Sequence, residues 1–102
     1  MPVIDVDEKI MFLDYKPVIS SLAVSNHLIS VVISMKKDQV FTTPKEDEYE
    51  AFFYVYKGRG KTKIFNEEVE FKEGDFIHLE PGKKWIKATD DLVLIMIRNV
   101  IE

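Results

Sequence analysis

Residues 73–85 read EGDFIHLEPGKKW, and this stretch decides the fold. Gly74-Asp75 and Pro81-Gly82 are turn dipeptides, where glycine supplies positive φ and proline pre-sets a bend. Between them, Phe76 to Leu79 is long enough for one short strand. Trp85 opens another, WIKAT. Similar punctuation recurs at Gly58-Arg59-Gly60, Asn66-Glu67 and Asp90-Asp91, at intervals of about eight residues. That rhythm belongs to short strands in an all-β domain.

The intervening segments agree. AFFYVY (51–56) is aromatic and β-branched, and KTKIF and EVEF are short and partly alternating. LVLIMI (92–97) is an unbroken apolar run between Asp91 and Arg98, too short for a typical helix and suited to a strand covered on both faces. Upstream, VISSLAV and LISVVISM read as two strands joined by Ser25-Asn26-His27, and KIMFLDY as a further candidate. No long segment has helical period. Ten or so strands in 102 residues point to a jelly roll or small barrel that buries one face of each. The doubly apolar LVLIMI strand asks for a second cover, and a homodimer is the default expectation. Gly58-Arg59-Gly60 reads as a hairpin turn, since it lacks the spacing of a phosphate-binding loop.

Bulk composition narrows the function. With 46% hydrophobic and 31% charged residues, the chain is globular rather than disordered, and its length predicts one domain. Net charge is −4, carried by residues 1–50, whereas residues 51–102 balance nine cations with nine acids. This argues against a nucleic-acid binder. Cysteine is absent, which rules out disulfides, thiolate metal sites and a cysteine nucleophile. It also accords with a cytoplasmic location. MPVIDVDEKI lacks the basic-then-apolar order of a signal peptide. Pro17 to Met35 carries no formal charge but holds seven polar residues, a poor membrane span.

Over residues 40–98 the chain resembles the cupin family of small β-barrels. YVYKGRG (54–60) looks like the family's tyrosine-valine-x-x-glycine strand and turn, and EGDFIHLEPGKKW like its glycine-aspartate strand followed by a proline-glycine turn. The resemblance implies an all-β cupin-like barrel, a double-stranded β-helix or jelly roll. Many members bind a divalent metal through three His and one Glu, from the motifs G-x5-H-x-H-x3,4-E-x6-G and G-x5-P-x-G-x2-H-x3-N. Counted from Gly74 and Gly82, the second motif places Trp85 where the histidine belongs, Glu80 at the proline and Thr89 at the asparagine. Counted back from Gly58, the first motif places Ala51 at the glutamate. Its His-x-His falls on Lys45 and Asp47, or on Pro44 and Glu46. No cofactor and no metal are therefore expected in the barrel.

The remaining candidates each have a plain structural reading. Trp85 is a wall for a small ligand, or a plug for the space a metal shell would fill. Asp47 and Glu46 within KEDEYE form a carboxylate site, or a solvated acidic loop. Glu50 lies one residue from the lost glutamate position, so on a regular strand it points to the opposite face. His78 and His27 fall on no family ligand position, and scattered histidines are mostly structural. Lys83, Lys84 and Lys87 surround Trp85 and suit an anion, or a wet rim. If Trp85 faces inward, Lys87 shares its face. Should metal be found, Glu46, Asp47, Glu50 and His78 become the ligands to test.

Three functions follow as expectations. The first is a metal-free binding or sensing domain for a small, possibly anionic molecule, without catalysis, its pocket lined by Lys45, Asp47, Ala51, Phe53, Val55, Trp85 and Lys87. The second is a metal-independent isomerase or epimerase using Asp47, Glu50 or His78 as acid or base. The third is a structural dimerisation or interaction module, with the LVLIMI strand and the outward aromatics of AFFYVY as a dimer or partner surface.

Overall fold

The computed structural model describes residues 3–100. A 3-10 helix, Val6–Lys9, is followed by nine strands: β1 Val18–Val24, β2 Leu28–Met35, β3 Val40–Thr42, β4 Ala51–Lys57, β5 Arg59–Ile64, β6 Glu67–Lys72, β7 Phe76–Leu79, β8 Trp85–Ala88 and β9 Leu92–Asn99. They form two antiparallel sheets, ordered β1-β2-β9-β4-β7 and β3-β8-β5-β6. The architecture is the all-β jelly roll expected from the turn rhythm, and β1 and β2 coincide with VISSLAV and LISVVISM. Residues 18–35 therefore complete the larger sheet of their own chain.

Period-2 alternation builds the core. Along β4, Ala51, Phe53 and Val55 turn inward and are buried, whereas Phe52 and Tyr54 face out. Val31, Ile33 and Met35 of β2 and Leu92 and Leu94 of β9 meet them from the same sheet, and Phe71, Ile86 and Ala88 from the other. Burying each large apolar side chain contributes about 1.5–3 kcal/mol. The buried hydroxyl of Thr62 donates to the Trp85 carbonyl at 2.7 Å and so keeps its hydrogen bond.

Two local expectations need correction. KIMFLDY is not a strand. Residues 10–14 run across the outer face of the larger sheet, where the Met11 amide donates to Ser34 Oγ (3.3 Å) and Gln39 Nε2 to the Leu13 carbonyl (2.7 Å). This segment supplies the second cover that LVLIMI requires, and Val93 is buried there despite facing outward. The cover stops short of Ile97, which stays exposed.

Gly58 is not a hairpin turn. It joins β4 of one sheet to β5 of the other, two strands that do not pair with each other. Its φ is +90°, and a Cβ here would sit 1.9 Å from the Asp91 carbonyl oxygen, so the chain can turn this corner only without a side chain. The true hairpin is β5–β6, around Phe65-Asn66, both at positive φ.

Candidate functional site

The barrel mouth is framed by the β3–β4 loop, the β7–β8 turn and the end of β9. The loop is tied down by hydrogen bonds that start at Asp47. Its amide donates to the Pro44 carbonyl (3.2 Å), its carbonyl accepts from Gly82 (2.7 Å), and its Oδ1 accepts from the Tyr49 amide (3.0 Å). Across the mouth, Thr43 and Lys84 exchange two bonds, Thr43 N–H to the Lys84 carbonyl and Lys84 N–H to Thr43 Oγ1.

Lys84 then turns inward. Its Nζ donates to Asp47 Oδ2 at 2.7 Å, to the Tyr49 carbonyl at 2.5 Å and to the Gly82 carbonyl at 3.3 Å. The two side chains are only 3% and 9% exposed. All three ammonium protons have acceptors, so Lys84 has none left for a ligand. Burial by itself would raise the Asp47 carboxyl. The hydrogen bond and charge from Lys84, with the Tyr49 amide, outweigh burial and hold the carboxyl below its ordinary range.

Beside this pair lies a cavity of about 230 Å³, lined by Phe41, Asp47, Tyr49, Ala51, Lys84, Met96 and Arg98 among others. Arg98 continues the inward set of β9 (Leu92, Leu94, Met96) and stands opposite Ala51 in the ladder. The alanine methyl leaves the space that the guanidinium overlooks. That guanidinium lies over the Tyr49 ring at 3.9 Å, and Nη1 donates to the Asn99 carbonyl at 3.2 Å. Among the described residues, no carboxylate lies within 4 Å of it.

The residues named from the sequence are thus brought together only in part. Asp47 and Ala51 line the cavity. Phe53 and Val55 point inward but lie deeper, fully buried in the core. Lys45 is exposed on the loop. Trp85 and Lys87 face the opposite way from the barrel interior. Trp85 lies under Lys63 Nζ (4.9 Å) on the outer surface, and Ile86 and Ala88 take the inward positions.

The expectation that Trp85 and Lys87 line a pocket inside the barrel is therefore corrected: alternation along β8 turns Ile86 and Ala88 inward and leaves these two on the outer face. Glu50 and His78 lie on the outer face of the other sheet, as the alternation from Ala51 requires for Glu50.

Lys84 was seen in the sequence only as part of a basic cluster, and Arg98 only as the boundary of an apolar run. Extending the period of two from Leu92 through Met96 would have marked Arg98 as inward.

Comparison with known proteins accords with this geometry. The family model described as "Cupin domain" matches residues 31–96. The chain belongs to the cupin family. Among solved structures, this cupin is similar to an RmlC-like cupin protein from Desulfovibrio desulfuricans, with a TM-score of 0.84 at 17% identity over 97% of this chain and 96% of that one. It is also similar to an uncharacterised conserved protein with a double-stranded β-helix domain from Klebsiella pneumoniae, with a TM-score of 0.85 at 14% identity over 97% and 90%. A third is KdgF from Halomonas, with a TM-score of 0.80 at 15% identity over 99% and 96%. At these identities the likeness establishes the fold alone. No curated protein matches the sequence. No helix among the described residues is long and apolar enough to cross a membrane.

Proposed function

We propose that this cupin binds a small organic anion at the barrel mouth, with Arg98 as the anchor and no metal in the barrel. The observation that carries this reading is the Arg98 guanidinium, placed over the Tyr49 ring beside a cavity whose other cation, Lys84, is already saturated. Guanidinium is suited to carboxylate and phosphate because its planar fork donates two parallel hydrogen bonds. The cavity volume falls below the roughly 300–1,000 Å³ of pockets for drug-sized ligands, so the ligand class is a carboxylate of a few carbons.

A divalent metal does not fit the donor set inside the barrel. A methyl group stands at the glutamate position, Trp85 at the second-motif histidine position faces the outer surface, and Asp47 already faces an ammonium. The Lys84 charge takes the place a metal cation would have had beside that carboxylate.

Binding is better supported than catalysis. An isomerase needs two titratable groups within reach of one substrate atom. Asp47 is turned to Lys84 inside the mouth, whereas Glu50 and His78 meet on the far side of the sheet. The test is ligand-induced thermal stabilisation by a panel of small carboxylates (acetate, lactate, succinate, benzoate) on the wild type and on Arg98→Gln. A stabilisation present in the first and absent in the second supports the reading. Stabilisation that survives the substitution, or none from any anion, contradicts it.

A second copy of the chain is the partner we propose for the outer face of the larger sheet. Phe52, Tyr54, Phe76, Ile97 and Leu28 are exposed there, beyond the reach of the N-terminal cover. Contiguous exposed apolar surface of this kind marks an interface.

A further inference from the structure

The outer face of the larger sheet also gathers three metal-binding side chains at the β4–β7 edge. The ladder pairs Ala51 with Leu79 and Phe52 with His78, so Glu50, just before β4, comes opposite Glu80, just beyond β7. His78 and Glu80 are two residues apart and share that face with Glu50. Glu50 Oε1 lies 3.1 Å from His78 Nε2, and Glu80 Oε1 lies 3.9 Å from it. One ligand atom from each of the three falls within 4.8 Å of the others.

Two features make this more than a pair of surface acids. The imidazole is oriented, stacked on Phe52 with ring centroids 5.0 Å apart, and Phe52 stacks in turn on Phe76 at 5.6 Å. Its Nε2 is thereby aimed between the carboxylates. The two carboxylates also face each other across an antiparallel pair, an arrangement that is destabilising for like charges. Among the described residues no Lys or Arg lies within 4 Å of either.

We propose that Glu50, His78 and Glu80 form a surface site for a divalent transition-metal ion of the Zn²⁺ class. Two atoms bound tetrahedrally to one zinc stand about 3.4 Å apart, so the observed 3.1 and 3.9 Å need only small side-chain adjustments. The imidazole nitrogen selects Zn²⁺, Ni²⁺ or Cu²⁺ over Mg²⁺ and Ca²⁺, which prefer all-oxygen shells. Three protein ligands leave at least one coordination position open to solvent. The three side chains face away from the barrel interior, because Ala51 and Leu79 between these residues point the other way, into the core.

Isothermal titration of the tag-free chain with Zn²⁺, and in parallel with Mg²⁺, tests this directly. The expected result is one saturable equivalent of Zn²⁺ and no Mg²⁺ binding. His78→Ala and Glu50→Gln should each weaken Zn²⁺ by at least about 10-fold, the lower end of what loss of even an outer-sphere partner costs. Glu70→Gln, on the other sheet, should leave the titration unchanged. The three side chains are 41–70% exposed, so the variants should fold, and their unfolding in EDTA checks that they do. Absence of saturable Zn²⁺ binding, or binding that survives either substitution, overturns the proposal.

Discussion

Lys84 Nζ sits 2.7 Å from Asp47 Oδ2 inside the barrel mouth, with both side chains withdrawn from solvent. The consequence is a division of labour between two cations. Lys84 is used up in joining the β3–β4 loop to the β7–β8 turn. Arg98, on the neighbouring strand end, is left to face the cavity. A buried pair such as this is weak evidence for stability in itself, because desolvation offsets much of the Coulomb attraction. Breaking it is another matter.

Lys84→Met should destabilise the fold by about 3–5 kcal/mol, since it leaves Asp47 buried and unpaired. Adding Asp47→Leu should restore a large part of that loss, because both buried charges are then gone. Urea unfolding of the two single variants and the double variant measures the coupling. Additive losses would show that the ion pair is not a unit.

Stability should also fall in acid, and Asp47 should account for a separable part of the fall. Its carboxyl lies below the ordinary value in the folded chain. The unfolded chain therefore takes up the proton first as pH drops. The stabilisation is complete above the unfolded pKa of about 3.9 and disappears as pH descends through the lower folded value. Asp14 (hydrogen-bonded by Lys36), Glu68 (by Lys61) and Asp75 (by the Lys72 amide and side chain) are shifted the same way, but at the surface. High salt screens those three far more than the buried pair. In about 1 M NaCl, Asp47→Asn should flatten the acid limb relative to wild type. Parallel acid limbs would contradict the assignment.

Glycine substitutions should separate two kinds of turn. Gly58→Ala forces a side chain into positive φ and against the Asp91 carbonyl, so a loss above about 2 kcal/mol is expected. Gly74 has φ +92° but nothing within 4 Å of a Cβ, so Gly74→Ala should cost only the conformational share, about 1–2 kcal/mol. Thermal unfolding of the two variants gives the comparison, and equal losses would remove the corner role assigned to Gly58.

The self-association reading predicts a solution mass twice that of the chain. Phe76→Lys should return it to one, without loss of fold, because Phe76 is 64% exposed. A monomeric wild type by light scattering would remove this reading.

What was legible in the sequence followed period and punctuation. VISSLAV and LISVVISM gave β1 and β2 to the residue, because polar Ser25-Asn26-His27 could only be a turn. The inward set Ala51, Phe53 and Val55 followed from alternation. The errors have two physical sources. A motif count fixes a position along β8 but not which face of the strand it occupies, and alternation there turns Ile86 and Ala88 inward and Trp85 to the surface. Contacts distant in sequence, such as Lys84 with Asp47 and Arg98 with Tyr49, carry no local periodic signal. The residues that make the barrel mouth chemically distinctive are of this second kind.

The most direct test of the account is a calorimetric titration of small carboxylates into wild type and Arg98→Gln. Binding in the wild type, weakened in the variant by about 1.5–3 kcal/mol, or roughly 10–150-fold, is the predicted result for loss of a charge-assisted hydrogen bond. Equal affinity in the two proteins, or no carboxylate binding to the wild type, would contradict the claim that Arg98 makes the barrel mouth an anion site.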